Sequence, residues 1–332
     1  MQMRSIRPHL TFVPTPRRVE SFQDSARIDS YIVRRRCLGL VAAVGSVPPV
    51  SEQLSILTVH AHPDDESSKG AGTIARYAAE GVRTTLVCCT GGEAGDILNP
   101  AMDREEIKAD IEAVRRAELK TAADIIGYGE VIWLGYRDSG MPDTEENAHP
   151  DAFANADHEE ALGRLVEIIR RVKPQVLISY PEDQKRYPHP DHLQVTDLCL
   201  PAWDAAGDAS MYPEAGDPWT PQKMYCSMWS RARMVATHEE FLSRGLESPF
   251  GEGWLDRPGS DHKITATVEV DNRIRREALL SHATQVDPKS PFWFGLPVEV
   301  QDAIHPFDDY MLMKSRIDVQ PNETDLFAGF RD

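Results

Sequence analysis

Two hydrophobic patterns alternate along this chain. Short apolar runs such as Leu54-Ser-Ile-Leu-Thr-Val59 and Gln175-Val-Leu-Ile-Ser-Tyr180 have the length of buried strands, and the stretches between them have helical composition. The pattern predicts strands at 54–60, 83–89, 131–134 and 175–180, alternating with helices at 67–80, 103–126, 158–172 and 191–206. Such alternation specifies an α/β fold, a doubly wound, mostly parallel, Rossmann-like sheet. Beyond Pro213 the pattern loosens, with strands at 223–229 and 264–270 and helices near 237–245 and 273–284. This C-terminal extension, about 213–332, is expected to wall the active site as part of one domain spanning 51–332.

Two of the strand-to-helix turns carry dense chemistry. His60-Ala-His-Pro-Asp-Asp-Glu66 follows the first predicted strand, and Tyr187-Pro-His-Pro-Asp-His192 follows the fourth. Turns at the carboxyl ends of parallel strands line the ligand-binding edge of such sheets, so the two clusters can face each other across one crevice. Imidazole and carboxylate together suit zinc, and a catalytic zinc site keeps three protein ligands and an open position. His62, Asp65 and His192 supply that set. Asp64, beside Asp65, is left free as general base for a metal-activated water. His189, if protonated, is placed to stabilise an oxyanion, with Asp191 holding its imidazole and Tyr187 donating to the same oxygen. Asp-rich turns after strands also serve simply as helix caps, but two clusters of this density in equivalent positions favour a split metal site. The reaction implied is attack of water on an amide carbonyl.

The chain resembles the LmbE-like (PIG-L type) zinc N-deacetylases and, among them, the mycothiol S-conjugate amidase subgroup. Beyond the two clusters, the segments carrying the resemblance are Ser67-Ser-Lys-Gly70, Thr90-Gly-Gly-Glu-Ala-Gly-Asp-Ile-Leu-Asn-Pro-Ala-Met-Asp103, Arg137-Asp-Ser-Gly-Met141, His282-Ala-Thr-Gln285 and Leu326-Phe-Ala-Gly329. The resemblance implies the same ligands and the same roles for Asp64, His189 and Tyr187. It further implies sugar and inositol contacts at Glu93, Arg115 and Asp138, and contact between Lys69 and the larger substrate of the conjugate amidases. On the residues alone, Arg115 reads equally as a partner of Glu112 or Glu118 on its own helix, and Lys69 as a solvated side chain. The implied activity is zinc-dependent hydrolysis of a small thiol–sugar conjugate to a mercapturic acid and glucosaminyl-inositol, a detoxification, with iron(II) the alternative metal. The closest alternative is deacetylation of N-acetylglucosaminyl-inositol or another N-acyl amino sugar, against which Lys69 argues. A non-catalytic sugar- or metal-binding protein is the reading from a different class, and it has no use for Asp64. One departure from the relatives is Glu182-Asp-Gln-Lys-Arg186, where glycines are common; it stiffens the loop and brings Lys185 and Arg186 near the pocket mouth.

Composition bounds the rest. A net charge of −17 argues against a nucleic-acid-binding surface. The charge is uneven: residues 1–50 hold eight arginines against three acidic residues. There Arg34-Arg-Arg36 precedes an apolar run of 11 residues, Cys37 to Val47, too short to span a membrane and far from Met1 for an export signal. A disordered extension or an upstream start codon is the preferred reading of 1–50. The cysteines, 37, 88, 89, 199 and 226, form no C-x-x-C pair, and Cys88 and Cys89 should face opposite sides of their strand. They read as reduced, buried thiols of a cytoplasmic protein without membrane partners; the sequence leaves oligomeric state open.

Overall fold

The computed structural model describes residues 53–184, 187–251, 255 and 263–331. The readings made for residues 1–50, Lys185 and Arg186 therefore lie outside the described residues. Strands β1 (Ser55–His60), β2 (Arg83–Thr90), β3 (Glu130–Tyr136), β4 (Val176–Ser179) and β5 (Lys223–Met228) run parallel; β7 (Phe307–Ser315) lies antiparallel between β5 and β6 (Ala266–Glu269). The strand order is β3-β2-β1-β4-β5-β7-β6. The order reverses at β1 and β4, where helices leave on opposite faces of the sheet and a crevice must open beyond the strand ends.

Both faces are covered, which is why the strands read as continuous apolar runs. On one face Leu57, Val59, Val87 and Leu177 pack against Leu165, Val166 and Ile169 of α5 (His158–Val172) and Val195, Leu198 and Ala202 of α6 (Pro190–Ala205). On the other, Ile56, Leu86, Val176 and Ile178 meet Ile74 and Tyr77 of α2 (Ala71–Ala79), Leu119, Ala122 and Ile126 of α4 (Ile111–Ile126) and Ala278 of α8 (Asn272–Ser281). Cys88 belongs to the second core and Cys89 to the first, as the alternation of β2 requires.

Two predicted helices are divided, and one strand was not predicted. The helix expected at 67–80 is two, α1 (Asp65–Ser68) and α2, because Gly70 turns left-handed at φ 107. A Cβ there would lie 2.7 Å from the Tyr310 hydroxyl. The helix expected at 103–126 is likewise divided, α3 (Glu105–Lys108) and α4 being separated at Asp110, which has φ −145. Strand β7 has no counterpart in the sequence reading. Its Asp308 and Asp309 are buried and bonded, Asp308 to the backbone amide of Thr73 at 3.0 Å and to Arg275, Asp309 to Thr267 at 3.0 Å. Two charges inside the strand hide it from a search for apolar alternation. The remaining helices are α7 (Arg231–Ser243), α9 (Pro291–Phe294) and α10 (Val298–Ala303).

Candidate active site

The turn after β1 is held tightly. Asp64 adopts φ 106, a left-handed conformation that costs about 1–3 kcal/mol for a residue with a side chain. Its amide donates to Glu66 Oε2 at 3.0 Å and the His62 amide donates to Asp65 Oδ2 at 3.0 Å. Glu66 is paired in turn with His282 at 2.7 Å, both fully buried, and Gln285 Nε2 donates to the Pro63 carbonyl at 2.6 Å. Burial would lower the His282 imidazole, but the Glu66 carboxylate outweighs it and raises it. The His282-Ala-Thr-Gln285 segment thus clamps the His62–Glu66 turn, a role that the sequence reading did not assign.

The second cluster is presented by the start of α6. Pro190 occupies its first turn, and the His189 Nδ1 accepts from the Asp191 amide at 3.2 Å, capping the helix. His192 follows on the first turn. Ligand atoms of His62, Asp65 and His192 lie within 4.8 Å of one another. The His192 Nε2 is 3.3 Å and the His62 Nδ1 3.6 Å from Asp65 Oδ2, which also accepts from the Tyr180 hydroxyl at 2.6 Å. Lys69 Nζ donates to the other Asp65 oxygen. Two imidazoles and a carboxylate converging this closely fit a divalent transition metal.

Asp191 departs from expectation. Its carboxylate was expected on the His189 ring; instead it meets His62 Nε2 at 3.1 Å and accepts from the amide and hydroxyl of Ser139. The reason is local: the first turn of α6 points the Asp191 side chain into the sheet, where it is fully buried, while its backbone amide serves His189. His189 is correspondingly not held in a charged form. Burial, then the neighbouring His62, push it down to about 4. With Nδ1 accepting, the proton of the neutral ring sits on Nε2 and remains available as a donor. Burial also opposes charge on His62, but hydrogen bonds with Asp138, Asp191 and Asp65 outweigh it and raise its pKa well above the usual value. Asp64 has no such compensation: burial, then Asp65, push its carboxyl up to about 6.

The residues expected to contact substrate divide. A cavity of about 700 Å³ is lined by Asp64, Lys69, Arg115, Asp138, Tyr187 and His189 together with His62, Asp65 and His192. Glu93 is not among its lining residues; its Oε1 accepts from the Asp138 amide at 3.0 Å and so anchors the 137–140 turn. Arg115 is fully buried and its guanidinium is engaged by carbonyls, donating to Gly92, to Gly95 at 2.8 Å and to Asp96 at 2.9 Å. It pairs with neither Glu112 nor Glu118, which go to Arg116 at 2.8 Å and to Thr284 at 2.7 Å. Its place is to shape the 92–96 loop beside the cavity. Asp138 accepts from the Gly140 amide at 2.8 Å and lies 3.6 Å from His62 Nε2, and Tyr187 is 55% exposed at the mouth. Trp229, Met234, Phe292 and Trp293 give the cavity an apolar wall.

The sequence profile described as PIG-L, GlcNAc-PI de-N-acetylase, matches residues 57–203. The chain is 42% identical over 295 residues to the mycothiol S-conjugate amidase of Streptomyces coelicolor, covering 85% of this chain and 99% of that protein. The chain belongs to the PIG-L family. A second PIG-L relative, the 1D-myo-inositol 2-acetamido-2-deoxy-alpha-D-glucopyranoside deacetylase of Streptomyces avermitilis, is 38% identical over 292 residues, covering 82% of this chain and 96% of that one. Among solved structures, N,N'-diacetylchitobiose deacetylase from Pyrococcus horikoshii shares the fold at TM-score 0.54 and 17% identity over 80% of this chain and 85% of that chain. The 4-carboxy-2-hydroxymuconate hydratase GalB from Pseudomonas putida does so at TM-score 0.52 and 18% identity over 81% and 99%. The fold alone therefore does not fix the reaction. As a PIG-L protein with these relatives, the chain is a hydrolase of amide bonds, of the amidase and deacetylase type, and its family's deacetylases are metal-dependent. No helix among the described residues is long and apolar enough to cross a membrane.

Proposed function

We propose that the protein is a zinc-dependent amidase that hydrolyses the amide of mycothiol S-conjugates, releasing a mercapturic acid and glucosaminyl-inositol. The observation that carries this reading is the mixed lining of the cavity. Around the His62, Asp65 and His192 cluster it is lined both by polar groups, Asp138 and the 92–96 loop, and by the apolar side chains of Trp229, Met234, Phe292 and Trp293. A sugar hydroxyl face suits the first and a bulky S-substituent the second, whereas an acetyl group leaves the apolar wall without a partner. The 42% identity to a mycothiol S-conjugate amidase supports the same choice.

Zinc held by His62, Asp65 and His192 would supply Lewis acidity at the scissile carbonyl and lower the pKa of water towards neutrality. Asp64 is the base that removes a proton from the attacking water. With its carboxyl pushed up to about 6, it is ionised at neutral pH yet basic enough to hold that proton and pass it to the departing amine nitrogen. Water oxygen thus bonds to the carbonyl carbon, the C–N bond breaks, and the amine leaves protonated. His189 through Nε2–H and Tyr187 through its hydroxyl donate to the oxygen on which negative charge develops. Ser139 and Asp191 keep His62 oriented. Lys69, bonded to Asp65 and lining the cavity, lies beside the acyl arm.

The test is hydrolysis, by the zinc-loaded protein, of an S-bimane conjugate of mycothiol beside N-acetylglucosaminyl-inositol, with products resolved by mass. Higher kcat/KM for the conjugate is expected. Preference for the acetyl sugar would make the protein a deacetylase like its Streptomyces avermitilis relative.

A further inference from the structure

Behind the apolar wall lies a second cavity, of about 110 Å³, and Trp229, Phe292 and Trp293 line both. These three rings form a partition, Trp229 stacked on Phe292 with centroids 5.6 Å apart and Trp293 edge-on to Phe292 at 4.8 Å. Phe250 adds a fourth ring at 5.7 Å from Phe292. Phe292 and Trp293 are carried by α9, and Trp229 follows β5; α9 is pressed against α7, where a Cβ at Gly295 would come within 2.7 Å of the Phe241 ring. Residues of α7, α8 and α9 line the cavity.

Its remaining wall is unusual for an apolar space. Arg233 and Arg275 line it, their terminal nitrogens turned to Asp308 and the Phe307 carbonyl. Each keeps a buried Nε–H with no hydrogen-bond partner among the described residues. Buried donors without acceptors are unfavourable, and the π face of an aromatic ring is the one apolar surface that attracts N–H groups and guanidinium charge. At about 110 Å³ the cavity is smaller than the ~150 Å³ apolar cavity that holds a benzene molecule, so a single ring is the largest group it takes.

We propose that this cavity is a binding subsite for a single aromatic ring carried on the sulfur of the substrate's acyl arm, reached past the Trp229–Phe292–Trp293 partition. The inference rests on the conjugate-amidase reading and gives it a substrate preference, aryl over alkyl. Aromatic S-substituents are gripped between the partition and the two arginines; small alkyl groups stop short of it.

The experiment compares kcat/KM of the zinc-loaded protein for mycothiol carrying S-methyl, S-benzyl and S-cyclohexylmethyl groups, in the parent, in Thr237→Phe and in Thr237→Val. Thr237 lines the cavity from α7, so phenylalanine there fills it and valine keeps its volume. The parent is expected to favour benzyl over methyl at least ten-fold and benzyl over cyclohexylmethyl. Thr237→Phe should collapse the benzyl-to-methyl ratio towards one, and Thr237→Val should keep the parent ratio. Should Thr237→Phe not fold, N-acetyl-S-benzylcysteine should inhibit the parent at least ten-fold more strongly than N-acetyl-S-methylcysteine. Equal rates for methyl and benzyl with equal inhibition overturn the subsite while leaving the amidase reading intact, and cyclohexylmethyl equal to benzyl overturns its aromatic preference. Cleavage of no conjugate, with the acetyl sugar hydrolysed, overturns both.

Discussion

Asp64 and His62 separate base from ligand at the scale of single residues. Asp64→Ala is expected to lower kcat by about 10²–10⁴, the usual contribution of a general base, with metal content unchanged; turnover within a few-fold of the parent would show that another group takes the proton. Ser139→Ala tests the support of His62 through Asp191. It removes the hydroxyl donor to a fully buried carboxylate and should weaken zinc binding ~10–100-fold, the cost typical of losing such a partner, measured by competition with a chelator. That His62, Asp65 and His192 come together beside Asp64 was legible in the sequence because each carries its own chemistry and lies in a dense local motif. Tyr180, Ser139, His282 and Gln285 were not. A hydroxyl, an amide or a lone histidine takes its meaning from a partner distant in sequence, as with Gln285 and Pro63, or His282 and Glu66. For the same reason Asp191 was assigned to the wrong imidazole.

Helices and strands that alternate cleanly were legible, and 158–172 matches α5 residue for residue. Breaks set by one backbone angle were not, as at Gly70. Gly70→Ala should destabilise the protein by about 1–2 kcal/mol from the left-handed backbone alone, and more from the close approach to the Tyr310 hydroxyl; a thermal midpoint equal to the parent's would contradict the assigned strain. Strand β7 was missed because Asp308 is buried within it. Burial alone would raise this carboxyl, but Arg275 and Arg233, helped by the Thr73 amide, outweigh it and hold it below the usual carboxylate range. A folded-state pKa below the unfolded value of about 3.9 means that the stabilisation is fully present above that pH and lost as pH falls through the folded value. Asp308→Asn should cost about 3–5 kcal/mol at neutral pH, since it leaves two buried guanidinium groups short of a counter-charge. Between pH 5 and acid, urea midpoints should converge for parent and variant; a constant gap would contradict the linkage.

Across the whole molecule, the parallel half of the sheet and the crevice at β1 and β4 followed from the alternation of elements. The antiparallel addition of β7 and β6 did not, because strand order beyond the last parallel strand is decided by long-range pairing that no local pattern encodes. The segment between β6 and β7 bears on the cavity, since it holds α9, whose Phe292 and Trp293 line it together with Trp229 after β5. Metal should also be felt globally. A ligand that binds only the folded state raises stability by about 2.7 kcal/mol at one hundred times its dissociation constant, so chelation should lower the thermal midpoint of the parent and leave that of His62→Ala unmoved.

The most direct measurement is a zinc titration of the metal-stripped protein, following bound metal and conjugate hydrolysis in the same samples. Turnover rising in proportion to bound zinc, and ending at one zinc per chain, is the expected result. Full turnover by the stripped protein, or zinc bound equally well by His62→Ala, would contradict a metal-dependent amidase built on His62, Asp65 and His192.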